Sequence, residues 1–181
     1  MIHGRFGSAE VVEAMRSHPH YTAPLDGPNR GRGVAVGYRF NAGGGGSSAT
    51  INVNSDGSVN LVTGSADLSG SRVAVAMQAA EVLGILAEDV RPSVVDTDAV
   101  GFTGGSGGSR ITFDTGRAAI AAADQVIDEM RGWAAMLWGT QVEDVEYRGG
   151  AFVSTGEERI TFKDLAAELL HTGGPVTCSA S

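Results

Sequence analysis

The run ATINVNSDGSVNLVTGSA, residues 49–66, constrains this chain more than any other stretch. Apolar and polar residues alternate through ATINVN, stop at SDG, and alternate again through SVNLVTGSA. A period of two sends successive side chains to opposite faces, so each half reads as a half-buried strand. Asp-Gly supplies the backbone that a tight turn demands. The two halves form a β-hairpin in which Ile51 and Val53 share one face and Val59 and Leu61 the partner face.

Helical patterns surround the hairpin. In SRVAVAMQAAEVLG, residues 71–84, Val75, Ala79 and Val82 recur at helical spacing and Gly84 is a natural C-terminal stop. VRPSVVDT reads as a short strand. From Thr112 to Met130, Ala119, Ala122 or Ala123, Val126 and Met130 line one side of a helix, and RGWAAMLWG reads as a second helical stretch. VEYRGGAFVST reads as a hairpin around Gly149 and Gly150, and TFKDLAAELLHTGG as a helix ended by Gly173 and Gly174. Upstream, VVEAMRSH is a short helix, HPHYTAPLDGPN an extended, proline-punctuated connector, and GRGVAVGYRF an alternating strand. The expected fold class is α+β, a mixed sheet with β-hairpins and with helices packed on it. Residues 1–30 are expected to form an N-terminal connector with a short helix, and 31–181 the main domain.

Charge and cysteine content narrow the partners. The 181 residues carry a formal net charge of −8, which argues against nucleic acid or an anionic membrane surface as the main partner. With 42% hydrophobic and 19% charged residues the chain has the balance of a folded soluble protein. No apolar run approaches the ~18 residues needed to span a bilayer, and MIHGRFGSAE has no signal-peptide core. Cys178 has no second cysteine to pair with, which fits a reducing compartment. A cytoplasmic location is the expectation.

The 27 glycines cluster in loops rather than in a repeat. NAGGGGSS is one such loop, and VGFTGGSGGSR is another, with five glycines between Gly101 and Gly108. The second joins a strand directly to a helix, so it is no spacer between domains. Strand, glycine loop and helix N-terminus together present backbone amides to an anion. Glycine lets backbone approach a ligand closely because no Cβ intervenes. Ser109 adds a hydroxyl and Arg110 a guanidinium, both suited to phosphate. The loop lacks the Lys-Ser or Lys-Thr of a Walker loop, and no ribose-binding acid follows as in a dinucleotide fingerprint.

Other chemistry-bearing residues read as structural. His3, His18, His20 and His171 lack metal-ligand spacing. Asp96 and Asp98 suit a strand end and turn. Trp133 and Trp138 suit helix packing, and Glu157 and Glu158 a solvated surface. Ser69, Ser71 and Ser109 have no histidine near in sequence, which leaves no support for a triad. No residue is assigned a catalytic or metal-ligating role.

TGSADLSGSRVAVAMQAAEVLGILAEDVRPSVVDT, followed by GGSGGSRITFDTGRAAIAAADQV, resembles the molybdenum-binding subunit of the molybdenum hydroxylases. These are the xanthine dehydrogenase, aldehyde oxidase and aerobic carbon monoxide dehydrogenase type enzymes. GRGVAVGYRF, a glycine loop and SATINVNSDGSVNLVTGS are similar to the strand and hairpin that precede this run in the same subunit. The resemblance spans roughly residues 30 to 175 and rests on several short motifs in order.

The resemblance implies that residues 31–181 are part of a molybdopterin-binding domain of the large subunit. It implies a molybdopterin cofactor with molybdenum, in bacteria commonly the cytosine dinucleotide form. Its cofactor-binding loops would be Ser69, Gly70, Ser71 and Arg72 at the first helix, and Gly107, Gly108, Ser109 and Arg110 at the second. The implied partners are the remaining large-subunit segments and subunits carrying iron–sulfur clusters and FAD, in an oligomer. The family chemistry is hydroxylation of an aldehyde or N-heterocycle carbon with oxygen from water, and the cofactor carries that step.

Two departures bear on this. Many members have Gly-Gln-Gly where this chain has Ser69, Gly70 and Ser71, although one branch uses Gly-Gly-Ser-Arg. The family's glutamate base lies in a segment that nothing in residues 130–181 matches, and one cysteine cannot hold an iron–sulfur cluster. The expectation is a cofactor-cradling portion of such an enzyme, inactive alone. The alternative is a binding or assembly module that keeps the fold without the metal cofactor.

Overall fold

The computed structural model describes residues 7–37 and 45–181. The chain divides into two units, Met1–Phe40 and Asn41–Ser181.

In the first unit, helix α1 (Ser8–Ser17) buries none of its residues. A single further turn follows, α2 (Pro19–Thr22), where the sequence reads as extended. Proline suits the first helical position because its missing N–H is not needed there. His18 Nδ1 caps the turn by accepting from His20 N at 3.2 Å. The Arg32 guanidinium donates to the carbonyls of Tyr21 and Ala23. Residues 31–37 form no strand, contrary to the alternation of GRGVAVGYRF, and residues 38–40 lie outside the described residues. Alternation makes a strand only where another edge supplies hydrogen bonds, and residues 31–37 take part in no ladder with described residues.

In the second unit, β1 (Ala49–Val53) and β2 (Val59–Thr63) form the expected hairpin, with Ile51 opposite Leu61 and Val53 opposite Val59. Gly57 turns it at φ +77, and Asp56 Oδ1 accepts from Ser58 N at 2.9 Å. Helix α3 (Ser71–Leu83) then carries the chain back to β3 (Val90–Val94), which pairs parallel to β2. After a long loop, a π-helical turn (Ile111–Thr115) runs without a break into α4 (Gly116–Trp138). The two helical stretches expected on either side of Met130 are therefore one helix. The C-terminal strand β7 (Thr177–Ala180) joins the free edge of β1 and completes a mixed sheet ordered β3-β2-β1-β7.

Helices α3 and α4 pack on this sheet and on each other. Their facing stripes are small: Ala76, Ala79 and Ala80 on α3, Ala118, Ala119, Ala122 and Ala123 on α4. Small residues let the helices pack closely, and at Gly116 the Gln78 side chain fills the space that a side chain would take. A Cβ there would stand 2.8 Å from Gln78 Cδ.

A second sheet holds β4 (Val145–Arg148), β5 (Ala151–Ser154) and β6 (Arg159–Thr161), and leads into α5 (Phe162–Thr172). Its first hairpin turns at Gly149 and Gly150, with φ +57 and +74, as a two-residue turn requires. Phe152 and Phe162 are fully buried and join the common core. Each contributes on the order of 1.5–3 kcal/mol by leaving water. The Tyr147 hydroxyl donates to Leu83 O and ties this hairpin to the end of α3.

Candidate functional site

Because β2 and β3 are parallel neighbours, the chain leaves both at the same end of the sheet. Each exit is a loop that ends at a helix: residues 64–70 lead to α3, and 95–110 lead to the π turn and α4. The carboxyl ends of parallel strands are where open α/β sheets place ligands. The topology thus brings together the two loops that the sequence singles out some forty residues apart.

The loops share a backbone device. Ser69 and Gly70 are both left-handed, at φ +56 and +78, and Gly108 and Ser109 repeat this at +58 and +63. Two consecutive left-handed residues reverse the chain just before each helix. Serine there is uncommon, and such strain is characteristic of ligand-binding segments. Gly70 faces open space, with no atom within 4 Å of where a Cβ would stand.

The arginines do not project freely from these loops. Arg72 NH2 lies 3.2 Å from Asp67 Oδ2, and Arg72 N donates to Asp67 Oδ1 at 3.1 Å. Ser71 N donates to Leu68 O, and Ser71 Oγ accepts from Leu68 N at 3.1 Å. The Asp67 carboxylate thus takes up the helix-terminal position that an external anion would favour. Arg110 Nε pairs with Asp114 Oδ2 at 3.1 Å, one helical turn on. Its guanidinium lies against Gly104, where a Cβ would stand 3.1 Å from Arg110 Cζ. Gly46, Ser47, Gly104, Arg110, Ile111, Asp114 and Thr115 close around this spot and leave no room there for a water molecule. The Arg110–Asp114 spacing, four apart on a helix, is a sequence signal for the pair.

Between the loops lie three buried hydroxyls that no sequence pattern reveals. Thr115 Oγ1 is 2.8 Å from Ser47 Oγ and 2.7 Å from Ser65 Oγ. Ser47 also forms an isolated bridge with Thr103 in the middle of the second loop. Thr103 Oγ1 is itself buried with no hydrogen-bond partner among the described residues, and Gly64 is packed on it, a Cβ there falling 2.9 Å away.

The remaining sequence candidates stand apart from this site. Asp96 Oδ1 accepts from Asp98 N at 2.9 Å, an Asx turn after β3, as a strand-end role predicts. Trp133 and Trp138 pack against the core. Glu157 and Glu158 are exposed in the β5–β6 turn; the Ser154 hydroxyl donates to Glu158 and lowers its pKa. Among the described residues no group of three His, Cys, Asp or Glu is placed to hold a metal ion.

Residues 13–181 match the family model of the molybdopterin cofactor-binding domain. The chain belongs to that family. Solved structures agree on the fold. A Cu,Mo-CO dehydrogenase in its carbon monoxide reduced state superposes with a TM-score of 0.67 at 26% identity, covering 74% of this chain and 18% of that one. A reconstituted CO dehydrogenase from Oligotropha carboxidovorans gives 0.66 at 26%, covering 75% and 18%. Quinoline 2-oxidoreductase from Pseudomonas putida 86 shares the fold, with 0.61 at 23%, covering 75% and 19%. This molybdopterin-binding domain therefore spans about a fifth of the length of those proteins. Both the α+β class and the resemblance to the molybdenum hydroxylases hold.

Two features of these loops leave room for a ligand. No described residue fills the space beside Gly70 at a helix entrance. Thr103 Oγ1 retains hydrogen-bonding capacity among the described residues. The two guanidiniums at the loop ends are each already paired with a carboxylate, which a bound anion would have to displace. Among the described residues no helix is long and apolar enough to cross a membrane.

Proposed function

We propose that this chain supplies part of the molybdopterin cradle of a molybdenum-dependent hydroxylase, through Ser69–Arg72 on one side and Gly107–Arg110 on the other. The observation that carries this reading is the convergence of the two left-handed loops at the shared end of parallel strands β2 and β3. When bound, the cofactor would supply the metal and its redox chemistry. The chain's own part is to bind and orient. Gly70 leaves room for the ligand to meet backbone, Gly107 has no Cβ to bar it, Ser69, Ser71 and Ser109 offer hydroxyls, and Arg72 and Arg110 offer charge. In this reading a cofactor phosphate competes with Asp67 and Asp114 for those guanidiniums. The cofactor form is the cytosine dinucleotide, and the enzyme works in the cytoplasm on an aldehyde or N-heterocycle.

Catalysis needs groups that lie elsewhere. Nothing in residues 130–181 resembles the family's base-bearing segment and one cysteine cannot hold an iron–sulfur cluster, so in this reading other large-subunit segments and iron–sulfur and flavin subunits complete the enzyme, and this chain alone is inactive. The surface around the loops agrees with burial against such segments. Leu68, Val73, Met77, Phe102 and Phe113 are all more than half exposed, as apolar side chains that pack against such segments would be in the chain alone.

The test is to express the chain with its completing segments in a host that makes molybdopterin, then assay molybdenum by mass spectrometry and pterin by fluorescence. Gly107→Val puts a branched side chain where backbone should meet the ligand and should abolish retention. Full molybdenum occupancy in that variant would reduce the loop to a connector. A parent assembly that never takes up molybdenum would favour the module without a metal cofactor.

A further inference from the structure

We propose that Thr115 is a positioning residue that locks the two glycine loops to one another through Ser47 and Ser65. Its consequence for cofactor binding rests on the cradle reading above; the lock itself does not.

Thr115 continues the buried stripe of α4. It lies four residues before Ala119 and seven before Ala122, where an apolar residue would be expected, and is 2% exposed. A buried hydroxyl is costly unless it is bonded. Here it has two partners, at 2.8 and 2.7 Å, from segments 68 and 50 residues away. Ser47 and Ser65 are 3.5 Å from each other, at the limit of a hydrogen bond. Thr115 is therefore the hub. Each hydroxyl has one proton to give, so the three must orient their donors in concert.

Each member roots a different part of the site. Ser65 immediately precedes the segment Ala66–Gly70, and Ala66 O in turn accepts from Ser71 Oγ at 3.5 Å. Ser47 bridges to Thr103 and holds the middle of the second loop. Thr115 ends the π turn that follows Arg110. That widened turn has a second tie to α3, since Gln78 Nε2 donates to Thr112 O at 3.2 Å. Single π turns recur at functional sites because they re-aim nearby side chains. Beside the β2–β3 pairing and the packing of Gly64 on Thr103, one side-chain oxygen thus ties the first loop to the second.

The experiment is residue-resolved amide exchange by NMR on the 181-residue chain. The reporters are hydrogen-bonded amides where each loop enters its helix: Ser71 and Arg72 after the first, Arg110 and Phe113 at the end of the second. Thr115→Val keeps the shape and removes the hub oxygen. It should speed exchange at all four reporters roughly tenfold, the scale of one lost hydrogen bond, while β1, β2 and the centre of α4 keep parental protection. Thr115→Ser should restore the parental rates. Ser47→Ala and Ser65→Ala remove one arm each and keep Thr115, so they serve if Thr115→Val fails to fold; each should loosen both loops. Loosening confined to the loop next to the substitution would overturn the proposal, as would a uniform rise across the whole unit or failure of Thr115→Ser to restore the rates. Cofactor retention in the assembled enzyme separates the two readings. Loosened loops with full retention keep the lock and overturn the cradle; unchanged loops overturn the lock whatever the cofactor does.

Discussion

Arg110 reaches forward one helical turn to Asp114, Nε to Oδ2 at 3.1 Å, so the cation of the second loop is neutralised within its own helix. The pair is largely shielded, with side-chain exposures of 25% and 14%. Asp114→Asn should cost about 1 kcal/mol in urea unfolding yet tighten cofactor retention in the assembled enzyme, because the guanidinium is released toward the anion. Arg110→Ala should act oppositely and weaken binding by about 1–3 kcal/mol. Retention that moves in the same direction in both variants would remove Arg110 from the site.

Two helix ends that look alike in sequence should respond differently to alanine. Gly84 and Gly139 both cap helices in the left-handed region, at φ +59 and +66. A Cβ on Gly84 would stand 2.8 Å from the Cα of Gly150, whereas one on Gly139 would meet nothing within 4 Å. Gly139→Ala should cost about 1 kcal/mol of backbone strain. Gly84→Ala should cost about 2–4 kcal/mol, because rigid backbone must also move. Equal midpoints in denaturant would refute the contact.

At the first loop, Gly70→Gln restores the side chain that many relatives of this kind carry. With φ +78 and open space around the Cβ position, the cost should be only about 1 kcal/mol. Thermal melting checks this, and a collapse of the fold would mean the space is not available.

Alkaline pH should weaken the domain. Burial pushes the Tyr147 hydroxyl from its ordinary value of 10.0 up to about 12. Burial, the hydrogen bond to Glu129 and that residue's negative charge push the Cys178 thiol from 9.0 up to about 11. A raised pKa means that the folded chain holds the proton more tightly than the unfolded one. The stability involved is complete below the ordinary values and is lost as pH rises through about 9 to 12. Melting temperature should fall across that window, and Tyr147→Phe should flatten the fall. Iodoacetamide should label Cys178 much more slowly in the folded chain than in the unfolded one near neutral pH.

What the sequence determined by itself is local. Alternation on both sides of Asp56-Gly57 dictates the β1–β2 hairpin and its register, because strand and turn use neighbouring residues. Helical spacing with Gly84 as the stop likewise marks α3. The second loop was legible as special because glycine and serine before a helix have a backbone meaning of their own, and the first through the family resemblance. Tertiary structure decided the rest. TCSA becomes strand β7 only because β1 offers it an open edge, while GRGVAVGYRF, with the better alternation, forms no strand at residues 31–37. The convergence of the loops comes from β3 lying parallel to β2, a pairing set by where α3 crosses. Ser47, Ser65 and Thr115 share no spacing that a periodic pattern could expose. Three hydroxyls far apart in the chain become one cluster only when the core closes over them, because burial is what makes an unpaired hydroxyl costly and forces the partners together.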